Sequence, residues 1–162
     1  MHTWSIRAVT ADDQDFLWET LYLSLYVREG EAPFDREVIY EPHLAKYVED
    51  WGQAGDVGYI AINDQQQPIG AVTARVLPAD NQGYGYIDEV KPELGLAVLD
   101  EYRGQGVGTA LMQALLTELR QQQIAQVSLS VDPSNPVVRL YERLGFEKVA
   151  VVGTSITMLL VL

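Results

Sequence analysis

The chain of 162 residues contains no cysteine. That excludes a disulfide framework, a thiolate nucleophile and every cysteine-ligated zinc or iron–sulfur site. Histidine is almost as scarce, and His2 and His43 leave so little material for a metal centre that no metal is expected. No apolar run approaches the ~20 residues needed to cross a bilayer. No cationic-then-apolar leader opens the sequence. The expectation is therefore a cytoplasmic protein without membrane association. Bases are also few: 11 Lys and Arg stand against 23 Asp and Glu, a formal charge of −12. Such a chain is poorly suited to hold a phosphate backbone, so no nucleic acid partner is expected. What is present in quantity is apolar, at 48% hydrophobic residues, enough for an ordinary core. The length predicts a single domain over 1–162.

The negative charge is unevenly spread. Residues 1–93 carry 17 acids and 6 bases, a balance of −11, whereas residues 94–162 carry 6 and 5, a balance of −1. The densest stretch, Glu29 to Asp64, has nine acids against Arg36 and Lys46. A charge run of this kind is ordinarily a solvated face. The sharper alternative is that one half attracts a cation while the other avoids repelling an anion.

Hydrophobic periodicity divides the chain into a β-α-α-β-β-β-α-β-α-β-β order. Trp4–Ala8 alternates as a strand. Thr10 and the acids Asp12, Asp13 and Asp15 open a helix whose stripe is Phe16, Leu17, Leu21 and Leu25. A second helix is predicted around Pro42–Trp51, then strands at Gly58–Ile62 and Ile69–Leu77 joined by a polar turn. Pro78–Lys91, with Gly83-Tyr84-Gly85-Tyr86, reads as a loop. Leu94–Leu99 reads as a strand buried on both faces. A helix follows from Gly106, then a strand at Gln126–Val131. Asn135 caps a short helix with Pro136 in its first position and Gly145 as its stop. Phe146–Val152 and Ile156–Val161 close the chain as strands.

Chemistry concentrates between the buried strand and the long helix. There Arg103-Gly104-Gln105-Gly106-Val107-Gly108-Thr109 places three glycines in alternate positions. The backbone can then approach a ligand closely, and consecutive N–H groups converge at a helix N-terminus that favours an anion such as a diphosphate. A tight strand-to-helix turn needing glycine only for its dihedrals would look the same. A dinucleotide fingerprint fails because Thr109 stands where glycine or alanine is required. A P-loop fails for want of any Gly-Lys pair, and a serine-hydrolase elbow for want of G-x-S-x-G.

Arg103, Gly106 and Gly108 do meet the pattern [R/Q]-x-x-G-x-[G/A], the acetyl-CoA motif of the GNAT superfamily of N-acetyltransferases. Downstream, Asn135 followed by Leu140-Tyr141-Glu142-Arg143-Leu144-Gly145-Phe146 resembles that family's second block. The chain resembles the family over nearly its whole length. The resemblance implies the acyl-CoA N-acyltransferase fold, an α/β (α+β) arrangement. It has a single mixed, mostly antiparallel sheet of six to seven strands flanked by about four helices. It also implies an acetyl-CoA-dependent N-acetyltransferase acting on a primary amine by direct attack in a ternary complex. Residues 1–93 would form the acceptor-side half and residues 94–162 the acetyl-CoA-binding half.

By the same resemblance, Leu96, Ala97 and Val98 would offer main-chain groups to the pantetheine arm, and Arg103 to Thr109 would wrap the pyrophosphate. Asn135 would contact pantetheine, though capping its helix is physically sufficient for it. Tyr141 matches the family's general acid, since a phenol of pKa about 10 can protonate a departing thiolate; a core tyrosine capped by a carbonyl is the alternative. An amine of pKa about 10.4 must lose a proton before it attacks. Glu93 is the first candidate base, Asp88 and Glu89 the next, and ordered water alone would also serve. Trp18, Tyr22, Tyr26 and the Tyr84–Tyr86 loop could wall or cover the acceptor cleft, or pack in the core; His43 reads as a surface or capping residue. Related folds often pair through edge strands or helix faces, which makes a homodimer one expectation. A non-catalytic acyl-CoA sensor of the same fold stays open as the alternative, as does transfer to oxygen or of a longer acyl group.

Overall fold

The computed structural model describes residues 3–88 and 91–162, so His2 and Glu89 lie outside the described residues. The elements are β1 (Trp4–Ala8), α1 (Gln14–Leu23), α2 (Pro42–Ala45), β2 (Val57–Asn63), β3 (Pro68–Arg75), β4 (Glu93–Val98), α3 (Val107–Gln121), β5 (Gln126–Val131), α4 (Val138–Arg143), β6 (Glu147–Val152) and β7 (Ser155–Val161). Their order is the one the hydrophobic pattern predicts. The seven strands make one sheet in the order β1-β2-β3-β4-β5-β7-β6. Every neighbouring pair is antiparallel except β4 and β5.

Alternation along β2 shows how the layers arise. Val57 and Ala61 join the core beneath α3, while Ile60 and Ile62 join a second core with Leu17 and Leu21 of α1 and with Ile39, Leu44 and Val48. The sheet is thus sandwiched between α3 with α4 on one face and the N-terminal helices on the other. Six buried side chains anchor α3: Val107, Leu111, Met112, Leu115, Leu116 and Leu119. Each contributes roughly 1.5–3 kcal/mol by leaving water.

Several boundaries differ from the sequence pattern. Helix α1 stops at Leu23, and Leu25 packs against the second core from the following loop. The predicted Pro42–Trp51 helix shrinks to the four residues of α2 followed by turns. Asp50 and Gly52 there adopt left-handed φ of 55° and 112°, which an α-helix does not accommodate. Helix α4 begins at Val138 rather than at Pro136. Asn135 still caps the entry, its Oδ1 accepting the Val137 N–H at 3.0 Å.

The largest correction concerns β4. It is not buried on both faces, because Gly95 is exposed and Leu96 and Val98 are half-buried. Against β3 it pairs over six positions from Glu93↔Arg75 to Val98↔Gly70. Against β5 it pairs only at Glu93↔Ser128. Beyond that point the two strands part, and the rest of the edge of β4 has no strand beside it. At the far end of the sheet β6 is exposed at every residue and carries a register irregularity between Lys148 and Ala150.

One buried ion pair fixes the irregular stretch between α2 and β2. Arg75 of β3 donates from Nε and Nη2 to Asp56 at 2.9 and 2.7 Å, and from Nη1 to the carbonyls of Lys46 and Glu49. The two side chains are only 8% and 4% exposed, and the guanidinium lies 5.1 Å from the Trp51 ring. Asp56 further accepts the N–H groups of Gly52 and Gln53. Asp56→Ala would leave a guanidinium buried without its counter-charge, and is expected to cost about 3–5 kcal/mol in chemical denaturation. A loss under about 1 kcal/mol would show that the pair is dispensable.

Candidate functional site

Where β4 and β5 separate, an open cleft of about 1450 Å³ runs through the molecule. Its walls are β4 from Glu93 to Val98, the end of β5, the turn before α3, the start of α4 and the loop after α1. The unpaired edge of β4 offers amide and carbonyl groups in strand spacing, a template for an extended ligand that carries amides of its own.

The glycine turn closes one end. Gly104 and Gly106 take φ of +76° and +83°, a region open to glycine at little cost. Through them the chain turns from β4 into α3. The first N–H to find an acceptor is that of Ala110, on the Gly106 carbonyl at 3.0 Å. Those of Gly104 to Thr109 make no short, well-aligned hydrogen bond among the described residues, although Arg103 to Gly106 follow a hydrogen-bonded turn. These weakly engaged donors at the N-terminus of a 15-residue helix suit an anion. The Arg103 guanidinium, 64% exposed, stands beside it and pairs loosely with Asp100 at 3.2 Å.

Of the residues proposed for the cofactor, all but Gln105 line the cleft. The Gln105 side chain turns away to the Glu101 carbonyl at 3.3 Å. Asn135 lines the cleft and caps α4 at once.

Tyr141 is buried on α4, its ring 5.8 Å from Phe146, and still reaches the cleft wall. Its hydroxyl has no hydrogen-bond partner among the described residues, so no carbonyl caps it. Burial pushes this phenol above its ordinary value, so it holds its proton through the neutral range.

Glu93 lies at the closed end of the splay and is 6% exposed. Its Oε2 accepts from the Tyr47 hydroxyl at 2.7 Å, and its Oε1 is buried without a hydrogen-bond partner. Burial raises the carboxyl above the usual range, while the Tyr47 hydroxyl and the Gly85 N–H pull the other way. Tyr47 also accepts the Tyr84 N–H at 2.7 Å and so ties Glu93 to the loop above it. That loop lies hard against β5: a Cβ on Gly85 would come within 2.7 Å of the Leu129 carbonyl carbon. Ser128 Oγ donates to the Gly85 carbonyl at 2.6 Å. The glycines of the Gly83–Tyr86 stretch thus serve close packing.

The other candidates separate. Asp88 is tied to Lys91 and does not line the cleft. Tyr22, Tyr26, Tyr84 and His43 line it, whereas Trp18 packs on Tyr40 at 5.1 Å outside it. Of the nine acids in the dense stretch, only Glu31 reaches the cleft wall. The sequence pattern did not flag the latch over the cleft. Arg28 Nε donates to Asp132 at 2.8 Å and Tyr26 donates to the Ser134 carbonyl at 3.2 Å, joining the loop after α1 to the loop after β5. Arg28 and Ser134 hold the Asp132 carboxyl down to about 2. Tyr47 was missed as well, lying in a charged stretch with nothing in its spacing to mark it.

Comparison with known proteins gives concordant matches. A family model described as Acetyltransferase (GNAT) family matches residues 18–146. An N-alpha-acetyltransferase of Saccharolobus solfataricus is 32% identical over 114 residues, covering 65% of this chain and 65% of that protein. One of Sulfurisphaera tokodaii is 35% identical over 91 residues, covering 51% and 54%. The matched stretch therefore spans just under two thirds and about half of these relatives' own length. Among solved structures, the PaiA N-acetyltransferase of Thermoplasma acidophilum in complex with coenzyme A superposes with a TM-score of 0.69 at 18% identity, covering 99% of this chain and all of that one.

The raised carboxyl of Glu93 has a consequence for stability. A carboxyl raised by folding binds its proton more tightly in the native state, so its contribution is complete below about pH 4 and is lost as pH rises through the raised value. The melting temperature of Glu93→Gln relative to wild type should therefore climb as pH rises above about 4. A difference that stays flat or falls would contradict the assignment.

Proposed function

The chain belongs to the acetyltransferase (GNAT) family, and from that premise we propose that it moves the acetyl group of acetyl-CoA directly onto a primary amine held in the same cleft. The observation that carries this reading is the run of N–H groups from Gly104 to Thr109, none of them in a short hydrogen bond, set beside the unpaired edge of β4. A diphosphate and an amide-bearing arm are the two parts of coenzyme A that such a pair of surfaces suits. In this reading Leu96, Ala97 and Val98 bind the pantetheine arm through their main chain, and Arg103 adds its charge to the turn.

The amine nitrogen attacks the thioester carbonyl, the C–N bond forms and the C–S bond breaks. Glu93, directly or through water, takes the first proton from the ammonium before attack. The departing sulfur takes the Tyr141 proton, and the second proton, released from nitrogen as the amide forms, returns through water to the Tyr141 oxygen. Burial keeps Tyr141 protonated, as an acid requires, and raises the Glu93 carboxyl, which makes it a stronger base once ionised. Products are the acetylated amine and the CoA thiol. The two N-alpha-acetyltransferase relatives make a polypeptide N-terminus the first acceptor class to test. The −11 balance of residues 1–93 favours a cationic acceptor through its summed field rather than through contacts, since few of those acids line the cleft.

The deciding experiment is release of free CoA thiol from acetyl-CoA in the presence of peptides, polyamines, amino acids and aminoglycosides, with the product identified by mass. Binding of acetyl-CoA without release across the whole panel would favour a sensor domain. Tyr141→Phe is expected to lower kcat at least about ten-fold with little change in acetyl-CoA affinity; unchanged turnover would remove its role. Tyr47→Phe deletes a hydrogen bond that favours the Glu93 carboxylate, so the acidic limb of the pH–rate profile should move to higher pH. An unmoved limb would take Glu93 out of the mechanism.

A further inference from the structure

The glycine turn needs a backstop, because glycines at 104, 106 and 108 give it little stiffness of its own. The residues that lead into it are fixed from the β2–β3 hairpin. The Leu99 N–H donates to the Ile69 carbonyl at the start of β3 at 2.8 Å, and the Tyr102 N–H closes a turn on the Leu99 carbonyl at 2.9 Å. The Tyr102 hydroxyl then accepts from Nδ2 of Asn63, the last residue of β2, at 3.2 Å.

Asn63 is 6% exposed, and its side chain is fully engaged. Oδ1 accepts the N–H groups of Gln65 and Gln67, both at 2.9 Å, and the other contact of Nδ2 is Gln67 Oε1 at 3.0 Å. An amide offers two donors and two acceptor sites, and all four are used. The side chain therefore has one orientation, and through it Tyr102 has one too. Tyr102 lines the cleft; Asn63 does not.

We propose that Asn63 is a positioning residue for the donor's diphosphate: acting through the Tyr102 hydroxyl, it holds the entry to the Gly104–Thr109 turn so that its N–H groups converge on the anion. This rests on the reading that the turn takes the diphosphate of acetyl-CoA. It places a determinant of donor affinity in residues 1–93, the half otherwise assigned to the acceptor.

The test uses two donors, acetyl-CoA and acetyl-pantetheine, the second lacking the diphosphate. Dissociation constants are measured on the full chain for wild type, Asn63→Ala, Tyr102→Phe and the double variant. In wild type acetyl-CoA should bind far more tightly than acetyl-pantetheine; equal affinities would overturn the diphosphate reading itself. Each single variant should weaken acetyl-CoA about three- to ten-fold, the range of one hydrogen bond, and leave acetyl-pantetheine unchanged. The double variant should be no weaker than the worse single one. Additive losses would show that the residues act separately, and equal losses for both donors would reveal a general fold defect; either result overturns the proposal, as does no loss. Tyr102→Phe removes a single oxygen and keeps the comparison available should Asn63→Ala not fold.

Discussion

Parallel strands usually stay in register until a loop ends them, and each backbone group lost from such a ladder must find another partner or face solvent. Here β4 and β5 pair at Glu93 and Ser128 and then diverge. A ligand site follows from that divergence in three ways. It opens a cleft inside a continuous sheet, it leaves an unsatisfied strand edge as one wall, and it points the end of β4 at the turn that starts α3. The closed end is held by Ser128, whose N–H donates to the Pro92 carbonyl at 3.1 Å and whose hydroxyl donates to the Gly85 carbonyl. Glu93 sits at that vertex, buried because the strands are still together there.

Electrostatics are divided along the same cleft. The N–H groups of the turn and Arg103 make one end receptive to an anion, while Glu93 and its tyrosine partner occupy the other. A buried carboxyl and a buried phenol on opposite walls, β4 and the helix after β5, have their titrations pushed upward by the same cause, loss of water. For the acid this brings proton uptake closer to neutrality, and for the phenol it secures retention. The acidic side chains of the N-terminal half stand mostly outside the cleft.

Much of this was legible in the residues. Period-two and helical patterns located the strands and helices of the described residues, in most cases because one face of the element is buried against a neighbour, β6 being exposed along its whole length. The glycine turn was legible because its chemistry is local to a few consecutive residues. What stayed hidden depends on distant pairings. The apolar run Leu94–Leu99 reads as a strand buried on both faces, and nothing in it reveals that its partner veers away. Trp51 looks like the end of a helix, yet it stacks on Arg75, a residue of another strand well downstream. Tyr47 and Glu93, 46 residues apart, meet only in the folded chain, and so do Arg28 and Asp132, 104 apart.

The hairpin of β2 and β3 bears on how such a chain could be recombined. Charge suggests a division near residue 93, with a variable front half and a reusable rear half. Mechanically there is no seam at that point: β3 and β4 share six paired positions across it, and the hairpin turn reaches over to grip Tyr102. A chimera that kept residues 94–162 and imported another front half would bring a foreign hairpin to the glycine turn. If the turn holds the donor as proposed, acceptor preference could be exchanged with that hold preserved only by a graft that left the native hairpin in place or carried an equivalent polar turn along.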